Sequence, residues 1–522
     1  MQRVRQEELA LGKKRPTGRD HPKRASRVPT RSTSSDSDSS ALSDPSSTES
    51  QSSSSNQFSS VFEPSQPSPP STWHLQKKLP FNIAPAVHEF DPFGSLPAAG
   101  FPQKGVESLL RHCFDVLLPM TFVMEKFSSS ERTARQGMVL RQKVASPAVF
   151  LGFMGTVAAH RAILRGSHGD LTPSEIDHDD LITDPEYKQV KFHTLVAVRK
   201  LIEANKTPDQ SLVDACYGLV SVATIVGNIA EAKVHLQGIK KIMSMANISE
   251  ESVQWLPITN VKLATAMLSL PLLPIPWERH PIPEEVLLVV SPPPEVDQSR
   301  LGSSFTQIPG LSDRLRELFS LQRDLCNICD FNARYPGTLP PAGHFVLNRK
   351  GTELEYDLVA YPYEIEVFER DKTNEPVLPA LEGMIRLAGL GLLTTAPHSI
   401  LPSSGSGRAI THHQKRAFQK WAKSSRRGCS RMELQVILWA LFIFTECAGN
   451  SPEAEFFIRH MAELVRELFL IRWEEVELMI YGLFYIPGLQ AKKWREIYNA
   501  AMSVPWRDWA SHDIAAANIA IR

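Results

Sequence analysis

The sequence predicts an all-α protein, a large irregular helical domain preceded by a disordered N-terminal region. Three observations carry that expectation. From about residue 90 onward apolar residues recur at three- and four-residue intervals, the period of a helix that buries one face, while sustained period-two alternation is rare. At 522 residues and 42% hydrophobic, the chain can bury a sizeable core. The head is different: Ser32 to Thr72 holds 19 serines, five acidic residues and no Lys or Arg. Such a stretch buries too little apolar surface to offset the entropy of ordering it.

The first 31 residues form a basic arm with ten Lys or Arg against three acidic residues, although the whole chain is neutral, with 57 cations and 57 anions. Attraction to nucleic acid must therefore be local. Lys13-Lys14-Arg15 and Lys23-Arg24 form two clusters of point charges on a flexible tether, a pattern able to reach two acidic sites on a nuclear import carrier or to bind nucleic acid without specificity. Residues 32–85 are a Ser/Pro-rich linker, and 86–522 are the helical body.

Within the body, Val106, Leu109, Leu110, Cys113, Val116 and Leu117 make one stripe. Pro147 opens a helix over Ala148 to Leu164, and Phe192, Leu195, Val196 and Ile202 mark another. Helices follow at Leu212 to Val226 and Ile229 to Met245. Residues 271–310 read as an extended connector, because recurrent prolines remove backbone donors, despite the apolar run Val286 to Val290. Leu311 to Asn332 reads as a helix, and 335–379 as an irregular stretch with room for a short strand or helix around Glu364 to Glu369. Val436 to Thr445 is too short to cross a bilayer and reads as a buried helix. Ser451, Pro452, Glu453 and Glu455 open a last well-marked helix, whose face is Phe457, Met461, Leu464, Val465 and Leu468.

Candidate chemistry is sparse. The six cysteines are scattered and no secretory leader is visible, so a reducing, intracellular setting without membrane attachment is expected. Cys326-x-x-Cys329 stands alone in a helix and reads as core rather than metal or redox. His412-His413 lies in a charged segment that reads as exposed. Asp177-His178-Asp179-Asp180 with Asp184 is similar to the magnesium-binding run of all-α terpene cyclases, but prolines bracket it and no second polar motif follows. Gly-x-Ser-x-Gly, phosphate-loop, His-Glu-x-x-His and dinucleotide patterns are absent. No catalytic residue, metal site or cofactor is assigned, and the chain reads as a non-enzyme.

Three stretches resemble the fungal-specific transcription factor domain, the helical regulatory region that follows a binuclear zinc cluster in many fungal regulators. They are Asp91-Pro92-Phe93-Gly94-Ser95-Leu96-Pro97, then Val234 to Met243 with the order His-Leu-Gln-Gly-Ile, and Leu438-Trp439-Ala440-Leu441-Phe442. Gly238 in the second reads as a close-packing glycine. The resemblance implies a nuclear transcription regulator of a metabolic or specialised-metabolite gene set. The zinc cluster itself is missing, since residues 1–90 hold no cysteine and two zinc ions need closely spaced thiolates. The expected mechanism is thus indirect: partnership with other transcription regulators, as homo- or hetero-dimer, with only weak and non-specific contact to DNA. An upstream exon carrying the cluster, an all-α enzyme of secondary metabolism and a non-catalytic scaffold are the alternatives.

Overall fold

The computed structural model describes residues 95–505, apart from 99, 126–128, 145, 172–180, 205–206, 246–247, 249–254, 291–300, 365–377, 425 and 427. All of them fall in one compact unit, Phe81–Arg522. The basic arm, the linker, most of the Asp91 to Pro97 stretch and the Asp177 to Asp180 run lie outside the described residues.

The body is all-α. Helix α1 (Gln103–His112) runs through a π-helical turn, Cys113–Leu117, into α2 (Leu118–Thr121). Next come α3 (Ser129–Lys143), α4 (Pro147–Leu164), α5 (Pro185–Ala204), α6 (Gln210–Val226), α7 (Ile229–Met245) and α8 (Trp255–Met267). The second half holds α9 (Glu284–Val290), α10 (Asp313–Arg334), α11 (Pro341–Glu364), α12 (Ala380–Leu393), α13 (Gly405–Ser424), α14 (Arg431–Ala448), α15 (Pro452–Glu467), α16 (Trp473–Tyr481) and α17 (Pro487–Met502). Among the described residues the extended pairings are two isolated bridges, Phe122 with His398 and His168 with Ile182.

Local chemistry explains most boundaries. Ser146 accepts from the Val149 amide ahead of Pro147, and Asp209 accepts from the Leu212 amide at 3.0 Å. Helix α6 stops at Gly227, whose φ of 91° lies in the left-handed region. Ser430 and Glu433 form a reciprocal box at the start of α14. Ser451 occupies the position before α15, but its hydroxyl caps no amide there.

Two large apolar cores result. The C-terminal one gathers α10 to α17 around α14, in which every residue from Val436 to Phe444 is fully buried. The N-terminal core gathers α1, α4, α5 and α6, with a smaller cluster joining α6 to α7 and α8. Helix α4 is long and apolar enough to span a bilayer, yet most of it is packed inside the body. Helices α4 and α6 cross at Gly152 and Gly218: a Cβ on Gly218 would lie 2.6 Å from the Gly152 Cα. Gly405 similarly sets the start of α13 against the end of α6, where a Cβ would meet the Gly227 Cα at 2.2 Å.

The structure corrects several expectations. The stretch 335–379 is not irregular throughout, for α11 occupies most of its first part. Its apolar face, including Leu347, Leu354, Leu358 and Tyr361, is interleaved with buried Glu353, Glu355 and Asp357, which disguise the period. These acids are satisfied from afar. The Trp277 indole donates to Glu353 at 2.8 Å, and Arg279 grips Asp357 with two bonds of 2.7 and 2.8 Å. The connector is likewise not wholly extended, because the proline-free residues Glu284–Val290 form α9 with Val286 and Val290 buried one turn apart. Helix α5 exists, but it buries Tyr187, Val190, Thr194 and Val198 and exposes Phe192, Leu195 and Ile202. Gly238 has nothing within 4 Å of its Cβ position, so it is not a close-packing glycine.

Candidate functional site

Between the N-terminal helices and the segment 398–406 lies a cavity of about 230 Å³. Its floor is the polar stripe of α6. Asp214, Tyr217, Ser221 and Thr224 recur at helical spacing along a helix that is otherwise apolar. Lys143, at the end of α3, and Thr259 and Lys262, on α8, face them. Phe122, Val139, Phe153, Ile225, Trp255 and Ile258 supply an apolar wall. Leu401, Pro402 and Ser406 close one side, held there by the Ser406 hydroxyl donating to the Thr224 carbonyl.

Most polar groups on this wall are already answered. Lys262 Nζ sits 2.7 Å from Glu355 Oε2 and donates to the Leu393 carbonyl at 2.9 Å. The Tyr217 and Thr259 hydroxyls are 3.1 Å apart. His160 Nδ1 meets His112 Nε2 at 3.1 Å, and burial pulls their pKa values down to about 3 and about 4, so this pair is neutral at pH 7. His398 Nε2 lies 2.8 Å from Asn348 Oδ1, and burial lowers its pKa to about 3.

Lys143 and Asp214 are the exceptions. Lys143 is only 9% exposed, its ammonium lies 5.2 Å from the centre of the Tyr217 ring, and burial pulls its pKa below the lysine range, with the Asp214 charge opposing that shift. Burial raises the Asp214 pKa against the opposing pull of Lys143 and of the Gln210 amide, which donates to it at 3.1 Å. A second cavity of about 270 Å³ borders α14 and α17. There Glu446 accepts from Gln490 at 3.1 Å and Trp494 at 2.8 Å, and Lys493 lies 3.6 Å away.

The residues singled out from sequence do not converge on either cavity. Lys13, Lys14, Arg15, Lys23 and Arg24 lie outside the described residues. Cys326 and Cys329 are buried in α10, and burial raises the Cys329 thiol to about 12, as suits core cysteines. Among the described residues no three His, Cys, Asp or Glu side chains are grouped to hold a metal ion. Asp184 is buried and accepts from the Tyr187 amide at 2.9 Å at the start of α5. His412 is exposed, but His413 is half-buried, with Nε2 3.0 Å from the Ala266 carbonyl, because α13 packs on α8. The cavity residues escaped the sequence reading. Their one visible signal was the polar spacing from Asp214 to Thr224 inside an apolar helix.

Comparison with protein-family models, curated proteins and solved structures finds no match for this chain.

Proposed function

We propose that this protein is a nuclear transcription regulator of the fungal type whose helical body reads a small molecule and acts through partner proteins. The supporting observation is the 230 Å³ cavity, with apolar walls and a few oriented polar groups. The titratable groups His160, Lys262 and His398 are engaged by His112, Glu355 and Asn348 behind the wall, and such a lining suits recognition of a ligand, which needs apolar burial plus a few fixed polar contacts. Bond chemistry would need a nucleophile with a free base beside it, and His160 and His398 are engaged by His112 and Asn348, with their basicity lowered by burial. The resemblance places its middle and last segments on α7 and α14, and the Lys/Arg clusters of the arm suit an import carrier.

The test is the full chain fused to a heterologous DNA-binding module in a reporter strain. Output above or below that of the module alone supports the reading. No output, together with magnesium-dependent turnover by the purified chain, would replace it with the enzyme alternative.

A further inference from the structure

We infer that the cavity binds a small apolar carboxylic acid, with its carboxylate on the Lys143 ammonium and its hydrocarbon body against Phe122, Phe153 and Trp255. This deepens the effector reading and rests on it only for the biological output. Lys143 carries the argument. The other lysines drawn into the body hold carboxylates: Lys262 pairs with Glu355 at 2.7 Å, and Lys350 with Glu353 at 2.5 Å, while the buried Arg386 donates to the Leu358 carbonyl at 3.4 Å. Lys143 is nearly as buried as Lys262, lines the cavity, and makes no ion pair within 4 Å and no hydrogen bond; what it has is the ring contact to Tyr217 and the longer-range attraction of Asp214. An ammonium taken out of water without an anion in direct contact is costly, and an anion arriving in the cavity offsets that cost.

The surroundings define the rest of the ligand. The Ser221 hydroxyl, one turn beyond Tyr217 on α6, is buried on the cavity side with only the Tyr217 hydroxyl beside it, and can turn to donate to the second carboxylate oxygen. Asp214 opposes an anion and confines the carboxylate to the Lys143 side. A cavity of about 150 Å³ accepts benzene, so 230 Å³ accommodates a body on the order of ten non-hydrogen atoms. Octanoate and 3-phenylpropionate are suitable probes.

Calorimetric titration of the purified 522-residue chain with octanoate tests the inference, with octanol and octylamine as controls. The acid should bind more tightly than either control. Lys143→Met should weaken acid binding at least tenfold while leaving octanol nearly unchanged. Failure of the unaltered chain to bind the acid at millimolar concentration, or preference for the amine, overturns the proposal. If Lys143→Met does not fold, the unaltered chain decides: preference for octanoate over both octanol and octylamine supports an anionic ligand, and equal affinity for acid and alcohol refutes it. Acid binding without any change in the tethered reporter keeps the ligand site and removes the regulatory reading. Reporter output without acid binding does the reverse.

Discussion

The C-terminal core and the N-terminal helices solve the same packing problem in opposite ways. Around α14 the aromatic rings of Phe305, Phe319, Trp439 and Phe484 interlock, with Phe305 centroids 4.6, 5.3 and 4.7 Å from Phe319, Trp439 and Phe484. The Trp439 indole is satisfied by the Phe484 carbonyl at 2.7 Å, so a large side chain is buried at no polar cost. Helices α4 and α6 instead meet backbone to backbone at Gly152 and Gly218, and the polar stripe of α6 faces empty volume. Filled space specifies the fold, whereas volume left open beside a buried Lys143 is a place for a ligand.

Acid should separate the two regions most strongly. His112, His344 and His413 have pKa values lowered to about 4, and His160 and His398 to about 3, all chiefly by burial; His112 and His160 sit on α1 and α4 and His398 on the cavity, while His344 and His413 lie on α11 and α13 where these face Phe122 and α8. Their folded pKa values lie below the unfolded value of 6.5, so the unfolded chain binds more protons and stability falls as pH drops from about 6.5 towards 4. Each deeply buried imidazole contributes on the order of 1 kcal/mol between pH 7 and 5, with His112 and His160 in contact and titrating as one coupled pair. Hydrogen exchange at pH 5 should show α4 and α6 opening before α14. Equal loss across both regions would erase the contrast.

Trp439→Ala should cost about 3 to 5 kcal/mol, as for a large aromatic deleted from a close-packed core. Phe153→Ala, on the cavity wall, should cost about 1 to 2 kcal/mol, because one side of the ring already lacks packing partners. Chemical denaturation of the two variants measures the difference, and equal costs would show that the cavity region is packed as tightly as the core. Gly218→Ala should cost about 1 to 3 kcal/mol by pushing α4 away from α6. It should also weaken ligand binding, since Gly218 lines the cavity.

The smallest expected effect has the opposite sign. Gly238 sits in the exposed middle of α7 with open space beside it. Gly238→Ala should therefore stabilise the protein by about 0.5 to 1 kcal/mol, visible as a higher melting temperature. A loss would mean that the segment resembling a family motif is occupied by a contact that the fold alone does not reveal.

What could be read from sequence was what neighbours in the chain decide. The starts of α4 and α6, the continuous faces of α14 and α15, and the all-α class follow from capping residues and a period of 3.6, which act within a few residues. What could not be read was whatever depends on distant partners. Helix α11 hid behind acids whose cations and donors come from α8 and the Trp277 to Arg279 strap. The buried face of α5 was misassigned because packing, not hydrophobicity, put Thr194 inside, where its hydroxyl donates to the Leu151 carbonyl at 2.9 Å. The cavity draws residues from Leu117 to Ser406. Periodicity records which side of a helix is apolar, but where two faces fail to fill the space between them is decided only when the helices have docked.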